Sequence, residues 1–177
     1  MAKTLIAFFS RAGENILNGS VQKLEIGNTE VAADYIAEFV EADKFKVEMV
    51  EPYPENYGDC TAKAKLDQGS KVRPEIKSDI DISEYDVIYI GYPNYWDTMP
   101  MAMFTFLEKH NWEGKVIKPF VTHEGSGFSK SLEDLEQTCK GAIIKEGLAI
   151  HGADVRGYKF SIRRWVNKVG KEAKFVN

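Results

Sequence analysis

The sequence predicts an α/β fold in which five parallel strands are joined by helical crossovers. Three observations lead there. Short apolar runs alternate with segments of helical period along the chain. One run, Val87-Ile88-Tyr89-Ile90, is continuous, β-branched and aromatic, as suits a strand buried on both faces. The 177 residues, 44% hydrophobic and 28% charged, suit a single globular domain spanning 1–177.

The elements follow in order. Leu5 to Phe9 reads as the first strand. Val31 to Val40 follows at helical spacing, with Val31, Tyr35, Ile36, Phe39 and Val40 on one face. Phe45 to Val50 alternates in polarity and reads as a strand; Tyr57 to Gly69 reads as a loosely patterned helix. After the buried strand at Val87, Met101 to Lys109 is helical. Val116 to Thr122 is a strand interrupted by Pro119, where irregular pairing is expected. Leu132 to Lys140 is helical, Leu148 to His151 is a short strand, and a closing helix carries Ile162, Trp165, Val166 and Val169 on one face. Strict alternation implies parallel strands with right-handed connections. Pro74 to Asp86 is a long polar connection within the domain.

Composition narrows the partners. A formal net charge of −4 argues against nucleic acid, since phosphate binding needs a positive field. Two cysteines, Cys60 and Cys139, with no CxxC spacing, build neither a disulfide framework nor a cysteine zinc site, and read as reduced thiols. The apolar run at Leu5 is too short for a signal-peptide core, and no stretch approaches the ~20 apolar residues of a membrane span. The expectation is a cytoplasmic protein, monomeric or weakly dimeric.

In parallel sheets of this kind, ligands bind beyond the carboxyl ends of the strands, where strand order reverses. The loop after the first strand runs Ser10-Arg11-Ala12-Gly13-Glu14-Asn15 and, after a detour, reaches Gly27-Asn28-Thr29 and a helix. Hydroxyls, an amide and glycines ahead of a helix N-terminus suit a phosphate; Asn28 or Thr29 as a simple N-cap is the alternative. The loop after the third strand, Gly91-Tyr92-Pro93-Asn94-Tyr95-Trp96-Asp97-Thr98-Met99-Pro100, carries three aromatics that suit a large flat ligand or pack on the domain itself. The loop after the fourth strand, Thr122-His123-Glu124-Gly125-Ser126-Gly127-Phe128-Ser129, has glycines flanking a serine, so that its backbone can approach a heterocycle edge. A plain turn, with His123 structural, is the alternative there. Together the loops fit a phosphorylated flat heterocycle better than a sugar or a metal.

These same residues resemble the flavodoxin superfamily, and within it a bacterial flavodoxin-like group with motifs F-S-R-x-G-N-T, G-Y-P-x-W-W-x-x-M-P and T-H-x-G-S-G. Here they read Phe9-Ser10-Arg11-Ala12-Gly13, Gly91 to Pro100, and Thr122 to Gly127. The resemblance runs from Lys3 to about Lys168. It implies a three-layer sandwich of strand order 2-1-3-4-5, the order of flavodoxin itself, with FMN as cofactor. The cofactor contacts it implies are Ser10, Arg11, Ala12, Asn15, Asn28 and Thr29, then Pro93, Asn94, Tyr95, Trp96 and Asp97, then His123, Glu124, Gly125, Ser126 and Gly127. One feature departs from the pattern: Glu14 to Ile26 splits the phosphate loop. Either this insert loops out and the halves close on the phosphate, or the seat is rebuilt from insert residues such as Asn15.

Rival chemistries lack their residues. A response-regulator receiver needs acids at the ends of the first and third strands, where Phe9-Ser10-Arg11 and Gly91-Tyr92-Pro93 stand. A small tyrosine phosphatase needs a cysteine in the first loop. A serine hydrolase needs a G-x-S-x-G elbow. The expected role is an electron carrier between two redox partner proteins, a reductase and an acceptor. The alternatives are an NAD(P)H-dependent quinone or flavin reductase and, in a second class, a flavin-binding regulatory or storage protein with no redox duty. The carrier role requires no catalytic side chain, because the cofactor carries the chemistry.

Overall fold

The computed structural model describes residues 2–168. Its main sheet has the order β4-β1-β5-β6-β7, with β8 also on β6, and every pairing in it is parallel. The strands are β1 Thr4–Phe8, β4 Asp43–Lys46, β5 Val87–Pro93, β6 Val116–His123, β7 Ile143–Ile144 and β8 Leu148–His151. The expected order 2-1-3-4-5 is present, with the fifth position shared by two short strands.

That division has a cause in Pro119. The β6 strand is continuous, and Pro119 pairs in register with Ile90 of β5, so the expected interruption falls on the neighbour instead. The amides of Ile143 and Lys145 donate to the carbonyls of Lys115 and Ile117. Residues of this parity on β6 therefore face the fifth position. Pro119 shares the parity and has no N–H to offer there. Pairing stops at Ile117↔Ile144 and resumes at Phe120↔Leu148.

Strand alternation sends side chains into two cores. Leu5, Ala7, Phe9, Ile88, Ile90 and Tyr92 pack under α2 Tyr57–Gly69, α3 Met101–Leu107 and α4 Ser131–Thr138. Ile6, Phe8, Tyr89 and Phe120 pack under α1 Asn28–Ala37 and α5 Lys159–Val166. The result is three layers. In α1 the fully buried face is Ala32, Ala33 and Ile36, while Val31, Tyr35, Phe39 and Val40 are partly buried at its margins. Small residues let α1 sit close to the sheet. Ile162, Trp165 and Val166 are buried as the periodicity predicts; Val169 lies outside the described residues.

Besides β7, two further features were not foreseen. A 3-10 helix, Gly152–Gly157, follows β8. The insert after the first strand is a β-hairpin, β2 Gly13–Leu17 and β3 Ser20–Leu24, closed by Asn18-Gly19. Both turn residues have positive φ, 51° and 80°. That is the primed turn which Asn-Gly favours, because its twist matches the flanking strands.

Candidate functional site

Strand order reverses between β1 and β5, and a cleft of about 370 Å3 opens beyond their carboxyl ends. This is a usual size for a small-molecule site. Its walls come from the loops after β1, β5 and β6, from the hairpin, and from the first two turns of α2.

The α1 side is polar. Gly27 precedes the helix, and a methyl there would overlap Ser10 Oγ and come within 2.6 Å of the Arg11 carbonyl oxygen. The loop and the helix start are thus in direct contact. Ser10 Oγ accepts from the Glu30 amide at 3.1 Å. Thr29 is buried, and its hydroxyl meets that of Thr122 at 2.8 Å. Among the described residues no acceptor faces the amides of Asn28 and Thr29. These are two of the orphan donors that make a helix N-terminus an anion seat. Arg11 acts as a strut: its guanidinium donates to the carbonyls of Glu14, Pro54 and Glu55. Among the described residues its buried Nε has no partner.

The β5 side is aromatic. Tyr95 and Thr98 bond each other across a two-residue reversal, with Trp96 and Asp97 at φ 49° and 70°. Asn94 braces it, accepting from the Asp97 amide and donating to the Gly127 carbonyl. The reversal separates the two rings. Tyr95 packs edge-on against Phe9 and Tyr53. Burial holds its phenol well above the usual range, so it stays neutral beside the Cys60 thiol. Trp96 leans over α2, its Nε1 donating to the Thr61 carbonyl and Lys65 Nζ lying 4.6 Å from the ring centre. It remains 45% exposed at the cleft mouth.

The β6 side is ionic. His123 Nδ1 accepts from the Gly125 amide, and burial together with nearby His151 pushes its pKa below the ordinary value. Glu124 bonds the Asn18 and Ala153 amides.

The cleft therefore gathers Ser10, Arg11, Asn15, Asn28, Thr29, Pro93, Asn94, Tyr95, Trp96, Asp97, His123, Glu124 and Ser126. It does not gather three residues expected there. Ala12 is exposed and faces a neighbouring hollow. Gly125 and Gly127, at φ 129° and 60°, form the turn itself and line nothing. Pro93 lines the cleft as the last residue of β5. Sequence reasoning missed Ile16, Tyr57, Cys60, Thr61, Ala64 and Gly152. No motif marks them, since the hairpin, the α2 crossover and, for Gly152, the turn after β8 bring them to the cleft through tertiary packing.

A cleft at the order reversal of a parallel sheet defines the class: a doubly wound α/β protein with its ligand site at the switch point. The chain belongs to the flavodoxin family, whose model matches residues 3–169. A structure described as a flavoprotein of Bacteroides uniformis ATCC 8492 is 26% identical, with TM-score 0.74 over 94% of this chain and 99% of that one. One from Bacteroides eggerthii DSM 20697 is 29% identical, with TM-score 0.69 over 92% and 98%. A Lactobacillus acidophilus NCFM flavoprotein in complex with FMN is 23% identical, with TM-score 0.63 over 89% and 99%. No curated protein matches the chain.

Proposed function

We propose that the cleft binds FMN and that the protein carries electrons between redox partner proteins. The observation that carries this reading is the pairing of two unpartnered helix-start amides with aromatic walls in one cleft. The first suits a phosphate and the second a flat ring. Family membership and the FMN complex of the Lactobacillus relative support the same cofactor.

In this arrangement Asn28, Thr29 and Ser10 hold the phosphate end and Tyr95 backs the ring. Bound FMN supplies one- and two-electron chemistry. The chain contributes charge at the rim. Glu124 has a histidine partner, whereas Asp97 has no ion pair among the described residues. An uncompensated carboxylate beside the ring site disfavours added negative charge, and ~1.4 kcal/mol of such repulsion lowers a one-electron potential by about 59 mV. No helix among the described residues is long and apolar enough to cross a membrane, and the cytoplasm is the proposed compartment.

The decisive experiment adds NADH or NADPH to the FMN-loaded protein, alone and then with a flavoprotein reductase. Bleaching of the visible bands only with the reductase is the expected result. Steady NAD(P)H oxidation with a quinone and no helper protein would instead establish a reductase. A protein that takes up no micromolar FMN would remove both readings.

The two rings give a separate check. Tyr95→Leu is expected to weaken FMN and riboflavin equally, by ~0.5–1.5 kcal/mol beyond lost area, with shifted visible bands. Trp96→Leu should change the bands while leaving the melting temperature nearly as it was, because Trp96 lies outside the core. Unchanged spectra in both variants would make these rings core or partner-surface residues.

A further inference from the structure

We propose that Glu124 is a positioning residue: its carboxylate latches the tip of the β2–β3 hairpin across the cleft mouth and slows the exit of the ligand held beneath. The hairpin takes no place in the main sheet, and β3 is exposed from Ser20 to Lys23. Its foot is tied to the start of α2, where Glu14 Oε2 accepts from the Tyr57 amide at 2.8 Å and from Asn56 Nδ2 at 3.2 Å. Its tip is tied to the loop after β6, where the Asn18 amide donates to Glu124 Oε2 at 2.9 Å. Between foot and tip, Asn15 and Ile16 line the cleft. The hairpin therefore spans from one wall to the opposite one, and Glu124 is its far anchorage.

Glu124 is itself held in place. Its Oε1 accepts from the Ala153 amide at 3.0 Å. Gly152 permits that approach, since a methyl there would lie 2.8 Å from the same oxygen. On the other side, His151 Nε2 lies 3.2 Å from Oε2, and His151 Nδ1 lies 3.0 Å from Asp154 Oδ2. Both ring nitrogens thus face carboxylates, and only the doubly protonated ring donates to both. The hydrogen bond to Asp154 and the charge of Glu124 raise the His151 pKa above its ordinary value. His123 is the other titratable group facing this ring, with centroids 6.1 Å apart. The like-charge repulsion between the two rings falls on His123, whose pKa is lowered by burial and by His151.

The sign of the pH dependence follows. A folded-state pKa above the unfolded value gives a contribution that is fully present below the unfolded pKa of about 6.5. It is lost as pH rises through the folded value. The Asp154 side chain is 64% exposed and that of Glu124 25%. A ring that loses one proton has a single N–H left and donates to only one of the two carboxylates, while the Asn18 and Ala153 amides still hold Glu124. The latch therefore loosens in the alkaline direction without opening outright.

The test compares wild type, Glu124→Gln and Asp154→Asn by amide hydrogen exchange at Asn18 in the ligand-free protein, by NMR titration of His151, and by the FMN dissociation rate. A glutamine offers one acceptor oxygen where the carboxylate offers two, and removes the charge. In Glu124→Gln, Asn18 should exchange about tenfold faster, the His151 midpoint should fall, and FMN should leave about tenfold faster. In Asp154→Asn the His151 midpoint should fall as well, while Asn18 stays protected below that midpoint, because the bond to Glu124 is intact. Thermal melts show whether each variant is folded. Equal Asn18 exchange in wild type and Glu124→Gln overturns the latch. Faster Asn18 exchange with an unchanged FMN off-rate overturns its role in retention. Only that retention role rests on the FMN reading. If the wild type takes up no FMN, that reading falls, and the exchange and titration measurements still decide the latch.

Discussion

Replacing Gly27 with alanine is expected to weaken FMN binding by about 10- to 100-fold while leaving riboflavin binding nearly unchanged. The added methyl would overlap Ser10 Oγ and press on the Arg11 carbonyl. Either the loop after β1 or the first turn of α1 must then move. Both carry the proposed phosphate seat, and its donors are worth ~1–3 kcal/mol each when they face a charged group. Riboflavin has no phosphate and does not use them. Overpacking also costs ~1–3 kcal/mol of stability, so binding is compared only where both proteins are folded. Parallel fluorescence titrations with the two ligands give the answer. Equal losses would mean that Gly27 supports the whole cleft, and no loss for FMN would place the phosphate elsewhere.

The second large effect lies in the core beneath the cleft. Gly91 sits in β5 between Phe8 of β1 and Phe120 of β6. A methyl on it would overlap the Phe120 ring, with even Cε1 only 2.6 Å away. Phe120 is fully buried. A ring in a packed core moves only by displacing its neighbours, so Gly91→Ala should cost about 1–3 kcal/mol. At ~2–4 °C per kcal/mol for a chain of this length, melting should fall by roughly 2–12 °C. The diagnostic is the sign of a second change. Phe120→Leu alone should destabilise, but in the Gly91→Ala background it should restore part of the loss, since it makes room for the methyl. Independent, additive losses would show that the two residues do not compete for the same space.

Gly91 and Gly27 also mark what could be read in advance. Gly91 opens the aromatic loop motif, and Gly27 belongs to the split phosphate motif, so their places in the chain were visible. The atoms they make room for were not, because Phe120 comes from β6 and Ser10 from the loop after β1, both distant in the chain. The same holds for Thr29. Its hydroxyl was expected at the phosphate, yet it also meets Thr122 across the layers.

The hairpin is the instructive miss. Asn18-Gly19 is a strong local turn signal, and the flanking segments pair with Leu17↔Ser20 closing the loop. The insert was read against a phosphate-loop pattern, and that competing pattern hid the turn. Which wall the hairpin tip would reach was beyond any local signal, since Asn18 and Glu124 are 106 residues apart.

Periodicity was enough for the alternation of strands and helices, and for which strand is buried on both faces, because side-chain spacing of 2.0 or 3.6 residues is a local property of the backbone. Family motifs brought the strand order and three of the cleft's walls. Three-dimensional packing settled the rest: the fifth strand divides opposite Pro119, Tyr95 turns inward while Trp96 turns outward, and α2 supplies Tyr57, Cys60, Thr61 and Ala64 to the cleft. Each of these depends on which surfaces meet across long stretches of chain, and a surface has no partner until the layers close.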